Sequence, residues 1–561
     1  MILPEYITVN CSGTFLKNAG IIGFIRFLRI NGAENGKDYV INGNELSIST
    51  DYLINNDIAQ MYFDTITDVF EKRTKFYRII TSDREKISRY YEKGAEKLDK
   101  SEIKALEELY KAFETEMSKN SYSKAFGLIK SGSLSDVSPD DIKILKKEKD
   151  LNAKYAKYTE IADKISEERV KKQFIYTTLL YGDFRYFFNE NKTSHVIPAL
   201  DDPKKSRRDT IYDKFFKGLA EDISADEKKK KNCCIECMRK TSVTVDNSFM
   251  VDTADDLGKK KSYYWNLKPD AYLCPVCAML YLFVPLGFVL LGKTAVFVNM
   301  NTSINTMYRY METYREKALG DENQSYYKRL YSLFTDEKIR ILSNSLSNIQ
   351  IIFKEDSSEH YNMKIIDKNI IEKLTKANKN GSLGKIENVS LKFGENYVRI
   401  YDEVFKYIFA FRSMYELIDK CLKYEFSNDS KRYWYIFSIL KTEIIFNGGN
   451  EVEKLEKQVN IAFNAGKEMR NHILGSNNDE NDNSMRGYVY RLINLSSVGD
   501  ISQFIDTVLR QYSGYGMSIP RIFTECYKSE ESFKAIAHSY ILGLKYCTQN
   551  ENNETGESKN E

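Results

Sequence analysis

Apolar residues recur at helical spacing along most of this chain. Residues 18–30 (NAGIIGFIRFLRI) show this spacing near the start. The stretch from 51 to about 188 is rich in Glu and Lys and nearly free of Pro, which predicts a helical lobe with a break near 131–139. From 401 to 548 the pattern predicts one helix after another. The clearest of these predicted helices cover residues 404–422, 433–446 and 531–547.

Two short segments have the alternating pattern of strands instead. Residues 38–50 (DYVINGNELSIST) surround Asn42-Gly43, a pair that favours a tight β-hairpin. Residues 385–400 (KIENVSLKFGENYVRI) predict a second hairpin with a glycine in its turn. The fold class that follows is α+β and predominantly helical, with a small N-terminal α/β part, a middle lobe and a C-terminal helical bundle. The middle lobe contains two CxxC pairs, Cys234–Cys237 and Cys274–Cys277, whose spacing is typical of a zinc site, so we expect this lobe to be zinc-stapled.

Changes in composition divide the chain into five predicted parts, and the local sequence pattern is uniform within each part. They are an N-terminal α/β unit (1–50), a helical lobe (51–190), an α/β region that contains a four-cysteine zinc site (191–400), a C-terminal helical bundle (401–548) and a polar, acidic tail (549–561). The tail is expected to be disordered, because it has almost nothing to bury.

An uncharged apolar run covers residues 271–292, which is long enough for a transmembrane helix. Pro275, Pro285 and a CxxC pair interrupt it, and no second run of this kind flanks it. We therefore expect no membrane span here. The alternative that we favour is one or two fully buried strands after a zinc knuckle.

Composition changes this picture in two ways. The chain has 561 residues with 42% hydrophobic content, which is enough for several domains with true cores. Its 83 Lys and Arg oppose 80 Asp and Glu, for a net charge of +3. A uniformly basic, histone-like protein is thereby excluded, so any nucleic-acid surface must come from local segregation of charge.

Cysteine usage indicates a reducing, cytoplasmic setting. The chain has nine cysteines, an odd number, and its first residues lack the basic and apolar regions of a secretory signal. Clustered thiols in such a compartment are more typical of metal ligands than of disulfides.

The most specific motif is a pair of CxxC turns, Cys234–Cys237 and Cys274–Cys277. Two such turns supply the four thiolates of a closed, structural zinc site, with the long intervening segment looped out. Because Cys233 lies beside Cys234, either of the two could be the first ligand, although the two-residue spacing favours Cys234. The alternative is a set of buried, reduced cysteines. The remaining cysteines, which are isolated and typical of core thiols, are Cys11, Cys421, Cys526 and Cys547.

Basic residues cluster around this motif. They are Lys204, Lys205, Arg207, Arg208, Lys228, Lys229, Lys230, Lys231, Lys259, Lys260 and Lys261. Lysine and arginine neutralise phosphates and release counterions, so this cluster is a candidate nucleic-acid surface. Solvated loops are an equally weighted interpretation, because acidic residues such as Glu221 and Asp226 lie close by.

No catalytic site is predicted. Residues 287–294 match the phosphate-loop expression GxxxxGK[ST], but their interior is bulky and the following residues alternate like a strand rather than starting a helix. Histidines lie in separate segments, and His472 on a probable helix is interpreted as a structural or surface residue. The chain is therefore expected to bind rather than catalyse. The alternative is a nuclease or a phosphate-loop-like ATPase with an unrecognised active site.

One family unites several of these features. The two CxxC pairs, CPVCAMLYLFVPLGF at the second pair, and SGTFLKNAGIIGFIRFLR near the start together resemble the CXXC-CXXC-type large subunit of a type I-B CRISPR Cascade, of the Tneap subtype. Near the end, FIDTVLRQY, SIPRIF and FKAIAHSYILGL are similar to the same family. The resemblance thus touches the start, middle and end of the chain.

The resemblance implies a non-catalytic subunit of an RNA-guided surveillance complex. Base pairing reads the target in such complexes, while protein reads a short flanking motif, the PAM, in duplex DNA. The implied partners are the other Cascade subunits, the guide crRNA, target double-stranded DNA and a recruited helicase-nuclease. Of the site residues, the four cysteines of the CxxC pairs carry the resemblance. No PAM-reading residue follows from it, nor whether an internal start yields a separate small subunit.

Overall fold

The structure is a computed structural model. It describes residues 5–11, 14–94, 97–119, 138–168, 170–172, 174–175, 207–246, 272–291, 294–300, 302–320, 348–355, 361–394, 396–428, 432–475 and 483–545. The chain divides into two compact units, which are not continuous in sequence. The first unit comprises Met1–Glu316 and Ile349–Ile365, and the second comprises Lys317–Asn348 and Ile366–Glu561. The five-part division drawn from composition remains a prediction.

Helices make up most of both units. Up to residue 320, the α-helices are Phe15–Ile30, Thr50–Asn55, Ile58–Phe70, Lys75–Arg78, Arg84–Lys93, Lys100–Met117, Pro139–Lys147, Leu151–Ser166, Arg207–Ile211, Lys217–Ser224, Pro275–Leu282, Val284–Gly287 and Ile304–Gly320. Further along they are Lys368–Lys379, Ser382–Ile386, Ile400–Phe409, Tyr415–Ser427, Trp434–Asn447, Val452–Leu474, Asn483–Val498, Ile501–Gly514 and Glu530–Leu544. The 3₁₀ turns are Glu71–Arg73, Glu227–Lys229, Gly449–Glu451 and Arg521–Tyr527, and the π-helical turns are Ile79–Asp83 and Tyr212–Phe216.

Strands are short and belong to small sheets. They are β1 (Tyr6–Asn10), β2 (Tyr39–Asn42), β3 (Glu45–Ser49), β4 (Asn232–Cys233), β5 (Lys240–Thr241), β6 (Val245–Asp246), β7 (Tyr272–Leu273), β8 (Val289–Leu291), β9 (Thr294–Met300), β10 (Asn348–Glu355), β11 (Asn362–Asp367), β12 (Ser390–Phe393) and β13 (Asn396–Arg399). The sheet orders are β1-β3-β2, β11-β10-β9-β8 and three two-stranded pairs, β4-β5, β6-β7 and β12-β13. The predominantly helical α+β class is therefore confirmed.

Both predicted hairpins are present. In the first, Asn42 of β2 pairs with Glu45 of β3, and Gly43 in the two-residue turn has φ of 58°. In the second, Phe393 of β12 pairs with Asn396 of β13, and Gly394 has φ of 64°. Glycine adopts this left-handed region without a Cβ clash, which is why both turns form where the sequence indicates them.

Within the apolar run at 271–292, the structure describes residues 272–291, and all of these except the half-buried Tyr272 are buried. The expected strand structure is wrong over most of this length. Residues Pro275–Leu282 and Val284–Gly287 form helices, and β8 alone adds three strand residues after them. Pro275 stands in the first turn of its helix, where a proline has no N–H to lose. Within the part of the chain that the structure describes, no helix combines the length and hydropathy needed to cross a membrane.

The N-terminal helix Phe15–Ile30 packs closely against this apolar segment. Gly20 and Gly23 face its backbone, and a Cβ on Gly23 would lie 1.9 Å from the carbonyl oxygen of Phe283. The ring of Phe283 lies 4.9 Å, between centroids, from each of Phe24 and Phe27. The centre of the first unit is thus built from the two segments that carry the family resemblance at the start and middle of the chain.

In the second unit, the predicted helix at 404–422 is broken into two. Ile400–Phe409 ends before Phe411, which has φ of 52°, and Tyr415–Ser427 begins after it. The buried carboxylate of Glu443 accepts hydrogen bonds from the Met414 amide at 2.7 Å and from the Ser413 hydroxyl at 2.8 Å. Glu443, which is distant in sequence, therefore accepts hydrogen bonds from groups at the start of the second helix. No local apolar pattern could indicate this contact.

Candidate metal centre

The first CxxC turn lies at the tip of the short β4–β5 hairpin. The Cys234 amide donates to the carbonyl of Arg239 at 2.9 Å, and the Met238 amide donates to the carbonyl of Cys234 at 2.9 Å. Met238 takes φ of 58°, a conformation that non-glycine residues rarely adopt, and this reverses the chain directly after Cys237. The turn is tight enough for the thiols of Cys234 and Cys237 to point to the same side.

The second CxxC turn opens the helix Pro275–Leu282. Cys274 is the N-cap residue, and its Sγ accepts a hydrogen bond from the Cys277 amide at 3.4 Å. The positive end of the helix dipole and this amide both favour a thiolate over a thiol at Cys274. The local structure at the second pair is therefore suited to negatively charged sulfur.

Backbone pairing brings the two turns together. The Ile235 amide donates to the carbonyl of Tyr272 at 2.9 Å, and Val245 of β6 pairs with Leu273 of β7. The ligand atoms of the four cysteines then all lie within 4.8 Å of one another. The Sγ atoms of Cys237 and Cys274 are 3.7 Å apart.

Cys233 lies outside this group of thiols. Its side chain is exposed, and its Sγ donates to the carbonyl of Met238 at 3.2 Å. Successive side chains of a strand point to opposite faces, so Cys233 and Cys234 cannot both face the cluster. The structure groups Cys234, not Cys233, with the other three cysteines.

The four thiols strongly perturb one another. Hydrogen bonds from Cys237, Cys274 and Cys277 hold the pKa of Cys234 well below its usual value. The hydrogen bond with Cys234 is the largest cause that raises the pKa of Cys274 and also that of Cys277. Four sulfurs this close together, three of them buried, cannot all ionise against each other's charge, so a bound cation is what would allow four thiolates here.

The geometry fits a tetrahedral metal with four sulfur ligands. A zinc–sulfur bond of about 2.3 Å gives about 3.8 Å between sulfurs at the corners of a tetrahedron. The 3.7 Å between Cys237 and Cys274 agrees with this spacing. Four thiolates would leave no position for water or substrate, so the centre is suited to a structural rather than a catalytic metal.

A buried carboxylate braces the first turn. Asp222 is fully buried and accepts hydrogen bonds from Arg239 Nη2 at 2.8 Å, Thr241 Oγ1 at 2.6 Å and the Ser242 amide at 2.7 Å. Burial disfavours the charge on Arg239, but attraction to Cys274 and then to Asp222 raises its pKa above the usual value. Asp222 thus holds in place the residues that follow the first CxxC turn. It also positions the Arg239 guanidinium, which lies beside the cysteine sulfurs.

The N-terminal helix also reaches this turn. Lys17 is buried, and its Nζ lies 3.2 Å from the Glu236 carboxylate and 3.1 Å from the Glu236 carbonyl. The hydroxyl of Tyr281 donates to the same carboxylate at 2.9 Å. The composition around the CxxC pairs pointed to neither Asp222 nor Lys17 as a support of the site, because both contacts join segments that are distant in sequence.

We expect Asp222→Asn to lower the free energy of unfolding of the first unit by about 2 kcal/mol, because Asn cannot accept hydrogen bonds from Arg239, Thr241 and Ser242 as a buried carboxylate does. Urea unfolding of the metal-loaded chain measures this change. The matched control is Glu221→Gln, since Glu221 is exposed and adjacent. Equal losses from both variants would show that Asp222 has no special role at the turn.

The candidate phosphate-binding residues are placed only in part. Arg208 donates to Gln60 Oε1, and its guanidinium lies 5.1 Å from the centroid of the Phe63 ring, so it packs within the first unit. Lys230 is buried, whereas Lys228, Lys229 and Lys231 are exposed beside the first turn. Arg207 is the first residue of the short helix Arg207–Ile211. The remaining candidates, outside the described residues, are Lys204, Lys205, Lys259, Lys260 and Lys261.

Most described residues of the phosphate-loop expression at 287–294 lie in two antiparallel strands, β8 and β9. Leu291 of β8 pairs with Thr294 of β9 in an antiparallel register. A phosphate loop joins a strand to a helix, so the described part of this segment lacks the architecture that the motif requires. Lys293 itself lies outside the described residues.

Two histidines fall within the described residues. His472 is exposed near the end of the helix Val452–Leu474. His538 is fully buried, with Nε2 at 2.8 Å from Asp419 Oδ1 and Nδ1 at 2.6 Å from the Lys534 carbonyl. Both ring nitrogens thus face hydrogen-bond acceptors inside the second unit, which is the arrangement of a histidine that joins helices.

Comparison with known proteins identifies one stretch of the chain. Residues 226–289 match the family model described as CRISPR-associated protein (Cas_CXXC_CXXC). This stretch includes all four clustered cysteines, and the match supports a CRISPR-associated protein of this family. No curated protein and no solved structure matches the chain.

Proposed function

We propose that this chain is the large subunit of a type I-B CRISPR Cascade, of the Tneap subtype, in which it acts in the cytoplasm without catalysing a reaction. The observation that carries the proposal is that the family match at 226–289 coincides with a group of four thiols, three of which are buried. The proposed partners are the other Cascade subunits, the guide crRNA, target double-stranded DNA and the helicase-nuclease. In this role the chain recognises the PAM, supports R-loop formation and recruits the nuclease.

We further propose that the metal is zinc and that its role is structural. Cys234, Cys237, Cys274 and Cys277 would hold it. When bound, zinc supplies a rigid crosslink between the β4–β5 hairpin and the helix Pro275–Leu282. The residues around it keep water away and position the sulfurs, as the contacts of Asp222 and Lys17 indicate.

Exposed lysines beside the first turn are a candidate for contact with the DNA backbone. Lys228, Lys229 and Lys231 project from a short segment directly before Cys234. Phosphate contacts give affinity that falls steeply as salt rises but do not themselves read sequence. On this proposal, the lysines position the chain on DNA, and other residues read the PAM.

The proposal predicts that the assembled complex needs this chain to discriminate PAM-containing DNA. The experiment is to express the chain together with the products of the neighbouring genes, purify the complex and sequence any bound RNA. Binding of duplexes with and without the PAM is then compared across a series of salt concentrations. We expect guide RNA in the complex, a strong salt dependence, and loss of discrimination when the chain is left out.

Two results would contradict this function. One is a complex that discriminates the PAM equally well without the chain, and the other is DNA affinity that does not change with salt. Incubation of the chain with ATP, Mg²⁺ and single-stranded DNA tests the non-catalytic role. Turnover that disappears in Lys293→Ala would favour an ATPase instead.

A further inference from the structure

Three arginines converge on one tyrosine in the first unit, away from the four thiols. Arg26 Nη1 and Arg315 Nη2 both donate to the carbonyl oxygen of Leu286, at 3.3 Å and 2.9 Å. The guanidinium carbon of Arg29 lies 4.1 Å from the centroid of the Tyr308 ring. Arg26, Arg29 and Arg315 all act electrostatically on Tyr308. We call these three arginines and Tyr308 the arginine cluster.

The arginine cluster holds more positive than negative charge. Glu312 is the carboxylate that acts on both Arg26 and Tyr308, and it forms an ion pair with Arg315. Among the residues that the structure describes, three guanidinium groups against this one carboxylate give a local charge of about +2. Burial, followed by repulsion from Arg315, lowers the pKa of Arg26 to about 10. Two like charges that share one carbonyl oxygen are costly unless an anion balances them.

A purely structural role explains only part of this arrangement. Arg315 is buried and donates hydrogen bonds to the carbonyls of Leu286 and Phe288. Arg315 therefore supplies the donors for these carbonyls, at the end of the helix Val284–Gly287, without help from Arg26. The bond from Arg26 to Leu286 is longer and duplicates it. A guanidinium has five N–H donors, and most of those on Arg26 and Arg29 are not used by the hydrogen bonds seen among the described residues.

The side chains of the arginine cluster differ in exposure. Arg26 and Arg29 lie three positions apart on the helix Phe15–Ile30, so they point to the same face. Arg29 is exposed and Arg26 is half-buried, while Tyr308 and Arg315 form a buried floor. The planar guanidinium group, with its several N–H donors, is a usual protein ligand of phosphate oxygens.

We propose that Arg26 and Arg29, supported by Arg315 and Tyr308, bind a phosphate group. We assign that phosphate to a nucleic-acid strand, and this assignment rests on the proposed function. The site uses none of the lysines that are proposed above for contact with the DNA backbone. It also requires no base contact, so it would position a strand without selecting its sequence.

The test uses the full metal-loaded chain with two probes, a single-stranded oligonucleotide and inorganic pyrophosphate. We expect the double variant Arg26→Gln and Arg29→Gln to bind the strand about tenfold more weakly and to reduce the salt slope by about one. The matched control is Arg89→Gln, because Arg89 is exposed in the same unit and forms an ion pair with Glu85 across one helical turn. Its affinity should equal that of the unchanged chain.

A variant with the opposite expected sign guards against simple loss of folding. Glu312→Gln removes the competing carboxylate, so we expect it to bind both probes about threefold more tightly, or more. A disturbed fold would weaken binding instead. Circular dichroism and thermal melting of each variant establish that it is folded before its binding is measured.

The outcomes separate the site from the proposed function. If the folded double variant binds both probes as the unchanged chain does, the phosphate site is wrong and the proposed function is untouched. If pyrophosphate binds and is lost in the double variant but no strand binds, the site stands and its assignment to nucleic acid fails. If the unchanged chain binds neither probe, the inference is overturned.

Discussion

Cys277→Ser is expected to release the metal and unfold the region around the two CxxC turns. Structural zinc contributes about 10–16 kcal/mol of apparent binding free energy in small zinc modules, which matches or exceeds the whole stability of a typical domain. Cys277 is buried among the other three thiols, and a serine hydroxyl is a poor replacement for a thiolate ligand. Elemental analysis should give about one zinc per unchanged chain and much less for the variant.

The control for this experiment lies one residue from a proposed ligand. Cys233→Ser removes an exposed thiol that points away from the cluster, so zinc content and melting temperature should stay as they are. Cys274→Ser should behave like Cys277→Ser. Freshly purified, folded chain without zinc would contradict the metal proposal, and so would loss of zinc from Cys233→Ser together with its retention in Cys277→Ser.

Gly543→Ala is expected to destabilise the second unit by about 3 kcal/mol or more. The helix Glu530–Leu544 crosses Val452–Leu474 where Gly543 and Gly466 meet. A Cβ on Gly543 would lie 2.1 Å from the carbonyl oxygen of Phe463, and a Cβ on Gly466 would lie 2.2 Å from that of Tyr540. The obstacle is backbone on both sides, so no side-chain rotation can relieve the clash and the two helices must separate.

Gly487→Ala is the matched control in the same unit. Gly487 also lies within a helix, but a Cβ there would meet no atom within 4 Å. Alanine at this position should stabilise the helix by about 0.5–1 kcal/mol, because it restricts the unfolded chain and favours helix. Urea unfolding of the two variants should therefore give shifts of opposite sign. Two shifts of the same size and direction would mean that the close contact between the helices is not present.

The two hairpins show which structure a local pattern can predict. Asn42-Gly43 and the Gly394 turn form as expected, because a glycine with positive φ between alternating residues leaves few other conformations. The apolar run at 271–292 shows the opposite case. Continuous apolar residues suit a buried helix and a buried strand equally, and the packing of Gly23 against Phe283 favours the helix.

The CxxC spacing by itself indicated a four-thiolate site and identified its residues, except for the choice between Cys233 and Cys234. That choice, for which the two-residue spacing favoured Cys234, depends on which of the two thiols is turned toward Cys274, and the structure groups Cys234 with the other three. The bracing contacts of Asp222 and the arginine cluster had no local signal at all. Arg26 and Arg29 look in sequence like the polar face of an apolar helix, and Arg315 lies far along the chain.

The sequence alone therefore determined the helical α+β class, the hairpins and the cysteines suited to a metal, because each depends on spacing within a few residues of one another. Tertiary structure decided which thiols meet, which carboxylate supports them, where helices approach through glycine, and which arginines surround Tyr308. Those features depend on distances between segments that are remote in the chain, and such distances are set by packing rather than by local pattern.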